Sequence, residues 1–522
     1  LKAFLRVLGF GLAGIAQALS IASPWNGQPV WWLQLLSTAA LVALLDGIKA
    51  TPGARLPWRS AALHGWLFAT AWLCATFWWM FISLHTYGGL AAPLAAVAVL
   101  VLAALLALYY VVASALYVAF APAGVLAGAV FFTALWTVAE LLRGTWFTGL
   151  PWGAGGYAHV EGPLAPYAPW IGVYGIGAVA TLIAALVALA WRRARERSRG
   201  ALAAPLLVAL ALAVLPSAWV GLRGTPADDP SLSRGKLAVA LLQGNIPQDE
   251  KFVPGGGMAT ALDWYGRMLG SDTTSLVVTP ETALPLLPSQ LPSGYLDAIT
   301  ARYMHGQQAA IVGLPLGDGQ VYSNSVLGFK PGEAEPYRYD KHHLVPFGEF
   351  IPGLFRWFTD MLNIPLGDFA SGGLAQPSFA WQGQRIAPNI CYEDLFGEEI
   401  GARFASDEEA PTILLNVSNL AWFGDSIAID QHLAISRMRA LEFQRPMARS
   451  TNTGATVVID HHGRVVDQLP RLTRGVLHAQ VEGRGGRTPY AVWVSRFGLW
   501  PLWGLGLAVI ALTLALRQRR RG

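Results

Sequence analysis

Cysteine and charge are both scarce in this chain of 522 residues, which has two Cys and 13% charged side chains. An ordinary soluble domain carries roughly twice that share of charge, so a fold exposed to water over its whole surface is excluded. Cys74 lies inside an apolar run and Cys391 lies far off in a polar one. A disulfide framework or a cysteine-rich zinc site therefore has nothing to form from. Walker and dinucleotide glycine motifs are absent, and with them the usual signals for a nucleotide cofactor. The net charge of +5 does not point to nucleic acid, because the arginines cluster beside apolar runs instead of forming a stripe.

What the chain has in abundance is apolar length. About 20 apolar residues cross a bilayer core, and eight runs approach or exceed that: 3–22, 30–48, 62–84, 92–120, 124–142, 168–191, 202–222 and 496–516. They predict an eight-span α-helical transmembrane bundle, with the first run a retained anchor and not a cleaved signal. Arg55 and Arg59, the stretch WRRARERSRG (191–200) and the tail RQRRRG (517–522) fall on one side if the N-terminus is inside. The positive-inside bias makes that side cytoplasmic, with both termini on it. Glu140 and Arg143, near the end of the fifth run, are expected to form an interfacial ion pair.

Segment 223–493 has normal charge density and no run long enough to span. Buried-type strands are predicted at 236–246, 275–283, 309–316, 385–394 and 412–420, and helices at 257–270, 294–305, 397–405 and 427–444. The alternation implies an α/β layered domain outside the membrane. The expected division is 1–222 (seven spans), 223–493 (extramembrane domain, entered through a linker at 223–235) and 494–522 (last span and basic tail).

Cys391 stands at a predicted strand end in APNICYEDLF (387–396), either as an inert buried thiol or as a nucleophile. A nucleophile needs a base and a cation. VTPETALP (278–285) offers Glu281 just past a strand, and YDKHHLVPFGEF (339–350) offers Lys341 and Glu349 in a loop ordered by Pro and Gly. Reactive groups collect at the C-terminal ends of strands in such domains. The adjacent pairs His342–His343 and His461–His462 would point apart in a strand, so no metal and no cofactor is expected.

Glu281, Lys341 and Cys391 in these contexts resemble the nitrilase (carbon–nitrogen hydrolase) superfamily. With QGNIPQ (243–248), PETA (280–283), KHHLVPFGEF (341–350), NICYED (389–394), NVSNLAWFGDS (416–426) and the flanking spans, the chain is similar to its membrane branch, the apolipoprotein N-acyltransferases of Gram-negative bacteria. The resemblance implies a nitrilase-like αββα sandwich on the eight-span bundle, placed in the periplasm at the inner membrane. It implies acyl transfer from a phospholipid, through a Cys thioester, to the α-amine of a diacylated apolipoprotein. Glu281 would be the base, Lys341 the oxyanion cation and Cys391 the nucleophile, with Glu349, Tyr392 and Glu393 in support. Phe252 stands where the family often has Trp; with Trp422 and Phe423 it is a candidate substrate contact. Trp422 and Phe423 read equally as a lid or as core aromatics, and the loop at 144–160 as a cavity floor or an interfacial belt.

Two other readings are a membrane-tethered amidase with the same triad and a non-enzymatic transporter or scaffold. Eight spans are hard to justify for a water-soluble amide. Spans nearly free of ionisable residues are hard to justify for a transporter.

Overall fold

The computed structural model describes residues 1–50, 56–194, 203–225, 228–317, 321–351 and 369–519. Arg55, positions 195–200 and 520–522 of the basic stretches, and 226–227 of the expected linker lie outside them. The chain divides into two compact units, Leu1–Thr225 with Leu499–Gly522, and Pro226–Gly498.

The first unit is helical: α1 (Lys2–Leu19), α2 (Trp31–Lys49), α3 (Pro57–Phe77), α4 (Ala92–Phe120), α5 (Val125–Thr145), α6 (Ala168–Ala194), α7 (Ala203–Arg223) and, after the second unit, α13 (Trp500–Arg519). Six of these are long and apolar enough to cross a membrane. α3 continues past a 61° bend as Met80–Tyr87, and the pair makes a seventh if counted as one span. The apolar stretch of α1, Ala3–Leu19, is shorter. Large apolar side chains face outward, including Leu94, Val97, Leu105 and Val112 on α4 and Leu207, Leu210 and Leu215 on α7. An outer surface this apolar suits hydrocarbon, not water.

One end of this unit gathers the basic residues. Lys49, Arg193 and Arg517 donate to the carbonyls of Ala121, Ala123 and Ala119, and Arg192 pairs with Asp46 at 2.7 Å. Glu140 and Arg143 do not form the expected interfacial pair. Both are buried, and each is turned to the 144–160 loop: Glu140 accepts from the Gly155 N–H, while Arg143 donates to Leu150 O, Trp152 O and the Tyr110 hydroxyl. Buried polar groups need hydrogen-bond partners, and the loop backbone supplies one to Glu140 and two to Arg143.

The second unit is an αββα sandwich. One sheet runs β12-β1-β2-β3-β4-β5, built from β1 (Ser233–Gln243), β2 (Leu276–Val278), β3 (Ala309–Gly317), β4 (Tyr322–Phe329), β5 (Tyr337–Asp340) and β12 (Gly475–Arg484). The other runs β11-β10-β9-β8-β7-β6, from β6 (Phe379–Trp381), β7 (Gln384–Ile390), β8 (Ile413–Ser418), β9 (Met447–Thr451), β10 (Val457–Ile459) and β11 (Val465–Gln468). Period-2 alternation explains the layering. Leu237, Val239 and Leu241 of β1 point to the inter-sheet core with Ile390, Leu415 and Val417. Ala240 and Leu242 point the other way, under α8 (Gly257–Ser271) and α9 (Tyr295–Met304). The second sheet is covered by α10 (Gly397–Gly401), α11 (Ala428–Phe443) and α12 (Pro489–Phe497). Because β1-β2-β3 and β7-β8-β9 are parallel, the C-terminal ends of β2, β7 and β8 gather on one rim.

The five predicted strands and four predicted helices are present with shifted ends. The strand expected over 275–283 stops at Val278, because Pro280 cannot donate and Thr282 has φ +50°. Seven further strands were not anticipated.

Candidate active site

The rim is shaped by one close approach. A Cβ on Gly313 of β3 would lie 2.2 Å from Pro280 O, so only glycine lets the PETA turn lie flat against the sheet. Thr279 Oγ1 accepts from the Gly313 N–H at 2.9 Å and fixes the turn. Glu281 then projects at the end of β2, buried, with one oxygen taking the Asn419 N–H at 2.8 Å after β8.

Its other oxygen, Oε1, lies 3.4 Å from Lys341 Nζ, and Lys341 Nζ lies 2.9 Å from Glu349 Oε1. Lys341 follows β5 directly and its N–H is held by Asn324 O at 2.8 Å. Burial disfavours the ammonium, but the Glu349 and Glu281 carboxylates outweigh it and hold the Lys341 pKa above its ordinary value. The loop of Glu349 is closed by its own side chain, which accepts from the Val345 N–H at 2.9 Å.

Cys391 directly follows β7 with φ +54°, a conformation disfavoured for any residue with a Cβ. The chain then turns at once into a 3₁₀ helix, Cys391–Leu395. Burial, and next the Glu281 charge, push the thiol up to about 12, with Lys341 pulling the other way. The resting sulfur is therefore a protonated thiol, and it needs a base at the moment of attack.

Tyr392 and Glu393 sit on the 3₁₀ helix. Tyr392 packs against His343 and Phe396, with ring centroids 5.6 and 5.3 Å away. Glu393 gathers the N–H groups of Ile390, His342 and His343 and the Tyr339 hydroxyl. It thus ties the strand before Cys391 to the loop of Lys341. Burial raises its pKa. Of the aromatic candidates, Phe252 is 50% exposed and Trp422 40%, so neither is core. Phe423 is partly exposed on the same 3₁₀ turn, Leu420–Phe423. Asn419 bonds Gln248 at 2.8 Å and so links the segments that carry these aromatics.

Several site residues do not stand out in the sequence. Asn324 Nδ2 donates to both Glu281 Oε1 and Glu349 Oε1, each at 2.7 Å. The Lys251 side chain is buried, with Nζ 3.3 Å from Glu281 O. Beneath Cys391, His432 Nε2 meets the Cys391 carbonyl at 3.1 Å while Nδ1 faces Arg449, which also reaches Ser436 and Asp394. Burial, then the Arg449 charge, keep His432 neutral. Arg449 can only donate, so it fixes the tautomer that donates to the Cys391 carbonyl.

The adjacent histidines behave in two ways. His342 and His343 face Gly372 O and Glu399 respectively. His461 and His462 do not diverge as strand residues would. They occupy the turn between β10 and β11, and both Nε2 atoms reach Asp228 Oδ1, at 3.2 and 2.7 Å. Shared hydrogen bonds to that carboxylate account for the trio.

Residues 13–186 match the family described as apolipoprotein N-acyltransferase N-terminal domain, and 238–490 match carbon–nitrogen hydrolase. An apolipoprotein N-acyltransferase from Verminephrobacter eiseniae is 57% identical over 94% of this chain and 92% of its own length. One from Ralstonia nicotianae is 45% identical over 97% of this chain and 93% of its own. Among solved structures, a carbon–nitrogen hydrolase superfamily protein from Xanthomonas campestris is similar at 22% identity, covering 51% of this chain and 96% of its own, with a TM-score of 0.36.

Proposed function

The chain belongs to the apolipoprotein N-acyltransferase family, and from that premise we propose that it moves a fatty acyl chain from a phospholipid, through a thioester on Cys391, to the α-amine of an S-diacylglyceryl N-terminal cysteine. The observation that carries this reading is the buried row Glu281–Lys341–Glu349 on the rim where Cys391 ends its strand.

In the first half-reaction Glu281 takes the Sγ proton as sulfur adds to the ester carbonyl carbon. The carbonyl π pair moves to oxygen, where the Lys341 ammonium and the Tyr392 N–H stabilise it. Collapse breaks the ester C–O bond, and the departing oxygen takes the proton back from Glu281, which releases a lysophospholipid. In the second half the α-amine adds to the thioester, its proton passes to Glu281 and on to the departing sulfur, and the amide remains. One site serves two lipid substrates in turn, a ping-pong sequence. Glu349 orients Lys341, and Glu393 holds the two strand ends together. Phe252, Trp422 and Phe423 contact the acyl chains. No cofactor or metal takes part.

The chain is a multi-pass membrane protein of eight spans in this reading, with α1 and the bent α3 pair each crossing once. It lies in the bacterial inner membrane, with its catalytic domain in the periplasm and both termini cytoplasmic. The basic residues meeting at one end of the helical unit support this orientation. The test is purified protein in detergent, given a phospholipid and a diacylated lipopeptide. Lysophospholipid and triacylated peptide should appear in equal amounts. Free fatty acid in place of the triacylated peptide would favour an amidase-like hydrolase.

A further inference from the structure

We propose that Lys251 is a positioning residue of this site, a second ammonium that keeps Glu281 ready as a base and balances charge through acyl transfer. The proposal rests on the Glu281–Lys341–Cys391 reading above.

Three observations carry it. The Lys251 side chain is buried, 2% exposed, although its neighbours Phe252 and Val253 are 50% and 48% exposed. The chain thus turns its cation inward and its apolar side chains outward at consecutive positions. Second, Lys251 Nζ donates to the backbone carbonyl of Glu281 at 3.3 Å, and the very next residue, Thr282, has φ +50°. The lysine therefore pins the turn that aims the base. Third, its ammonium interacts electrostatically with Glu281 and with Cys391, and the Phe252 ring lies 5.8 Å from it.

The charge count gives these contacts a purpose. Glu281, Glu349 and Lys341 alone sum to one negative charge. Lys251 brings these four groups to zero, and Glu393 beside Lys341 and Arg449 beside Cys391 add one charge of each sign. When the Sγ proton moves to Glu281 and sulfur adds to the donor carbonyl carbon, the negative charge leaves Glu281 and appears on the carbonyl oxygen. The sum is still zero, so no net charge develops in a site where charge is costly. Without Lys251 the two carboxylates keep only one ammonium between them, and the turn that aims Glu281 loses its pin. Burial draws the Lys251 ammonium down to about 8, against the pull of Glu281 and Cys391. The site is therefore poised to lose this charge in mildly alkaline solution. The Cys391 thiol at about 12 and the elevated Lys341 titrate well above that.

The test is single-turnover acylation of the full chain in mixed micelles with a diacyl phosphatidylethanolamine, followed across pH by intact mass, with melting curves alongside. The wild-type rate should fall as pH rises through about 8. Lys251→Met should slow acylation by roughly 10- to 100-fold, the effect of losing a charged hydrogen bond, and should lack the alkaline limb near 8. The lipid concentration dependence should be unchanged. Lys251→Arg should recover part of the rate and lose the alkaline limb. A wild-type rate and profile in Lys251→Met would overturn the proposal. So would a slower Lys251→Met that keeps the alkaline limb near 8, the mark of a merely structural residue. Should Lys251→Met not fold, Lys251→Arg decides: an alkaline limb that stays near 8 overturns the proposal. Glu281→Gln and Cys391→Ala report on the underlying reading separately, because an adduct formed in either would sink that reading whatever Lys251 does.

Discussion

Glu281 and Glu349 share an uncharged donor, the Asn324 amide nitrogen, which stands 2.7 Å from Oε1 of each. Two carboxylates converging on one lysine repel each other, and Asn324 offsets this by donating to both without adding charge. Asn324→Leu should slow acyl transfer by roughly 10- to 100-fold, since hydrogen bonds to charged groups are worth about 1.5–3 kcal/mol. Asn324→Asp, nearly the same shape, should be worse because it adds a third carboxylate. Steady-state rates with a fluorescent lipopeptide would measure both, and equal activity of Asn324→Asp and wild type would refute the shared-donor account.

Lys341 is enclosed by its two glutamates, with its side chain 1% exposed. Lys341→Met should still bind phospholipid but lose acylation by on the order of a hundredfold or more, since the oxyanion loses its cation. Lys341→Arg should not restore it, because the planar guanidinium is larger and aims its donors differently. Near-normal turnover in Lys341→Met would remove it from the mechanism.

The raised thiol makes a separate prediction about pH. With the Cys391 pKa near 12, only on the order of one molecule in 10⁵ holds a thiolate at neutral pH. Iodoacetamide labelling of Cys391, in a Cys74→Ala background, should be slow and should rise with pH up to at least 10. The sign follows from protonation: the unreactive thiol dominates below the pKa and the thiolate grows above it. A fast, flat profile between pH 6 and 9 would mean a preformed thiolate, and the general-base step assigned to Glu281 would be unnecessary.

Arg449 tests the support beneath the nucleophile. It is fully buried, reaches Asp394 at 3.5 Å and faces His432. Arg449→Met would strand the Asp394 carboxylate in the core, a change that typically costs about 3–5 kcal/mol. The melting temperature should fall clearly, and Asp394→Asn in the same chain should recover part of the loss. Additive losses in the double variant would show that the two residues are not coupled.

The candidate site is legible where polar residues interrupt apolar strands. Glu281, Lys341 and Cys391 each follow a strand or open a rigid loop, and that context marks them as candidates. β4, β9 and β12 are not legible in that way. β9 is wholly buried yet reads MARST, because Arg449, Ser450 and Thr451 spend their polarity on internal partners such as Asp394, Leu242 O and Thr456. Asn324 was hidden for a related reason: YSNS resembles a turn, whereas its side chains are satisfied across the sheet by Asp340 and the glutamates. Lys251 looks like a surface lysine until the chain is seen to turn it inward. The histidines at 461–462 converge on Asp228 because the chain makes a turn there, where strand geometry would part the two rings.

Orientation is open to a direct check. Reporter fusions near residue 196 and after residue 522 should report the cytoplasm, and one near residue 300 the periplasm. A cytoplasmic signal at residue 300 would reverse the arrangement.

The most direct test of the central claim is intact-mass analysis of the protein incubated with phospholipid and no acceptor. A transferase must hold its thioester while the acceptor arrives, so the site must leave water unactivated. The wild type should carry one persistent acyl adduct, removable by neutral hydroxylamine. Cys391→Ala should carry none. A diacylated lipopeptide with a free α-amine should discharge the adduct, and its N-acetylated form should not. Rapid loss of the adduct to water as free fatty acid, or an adduct that survives in Cys391→Ala, would contradict the account.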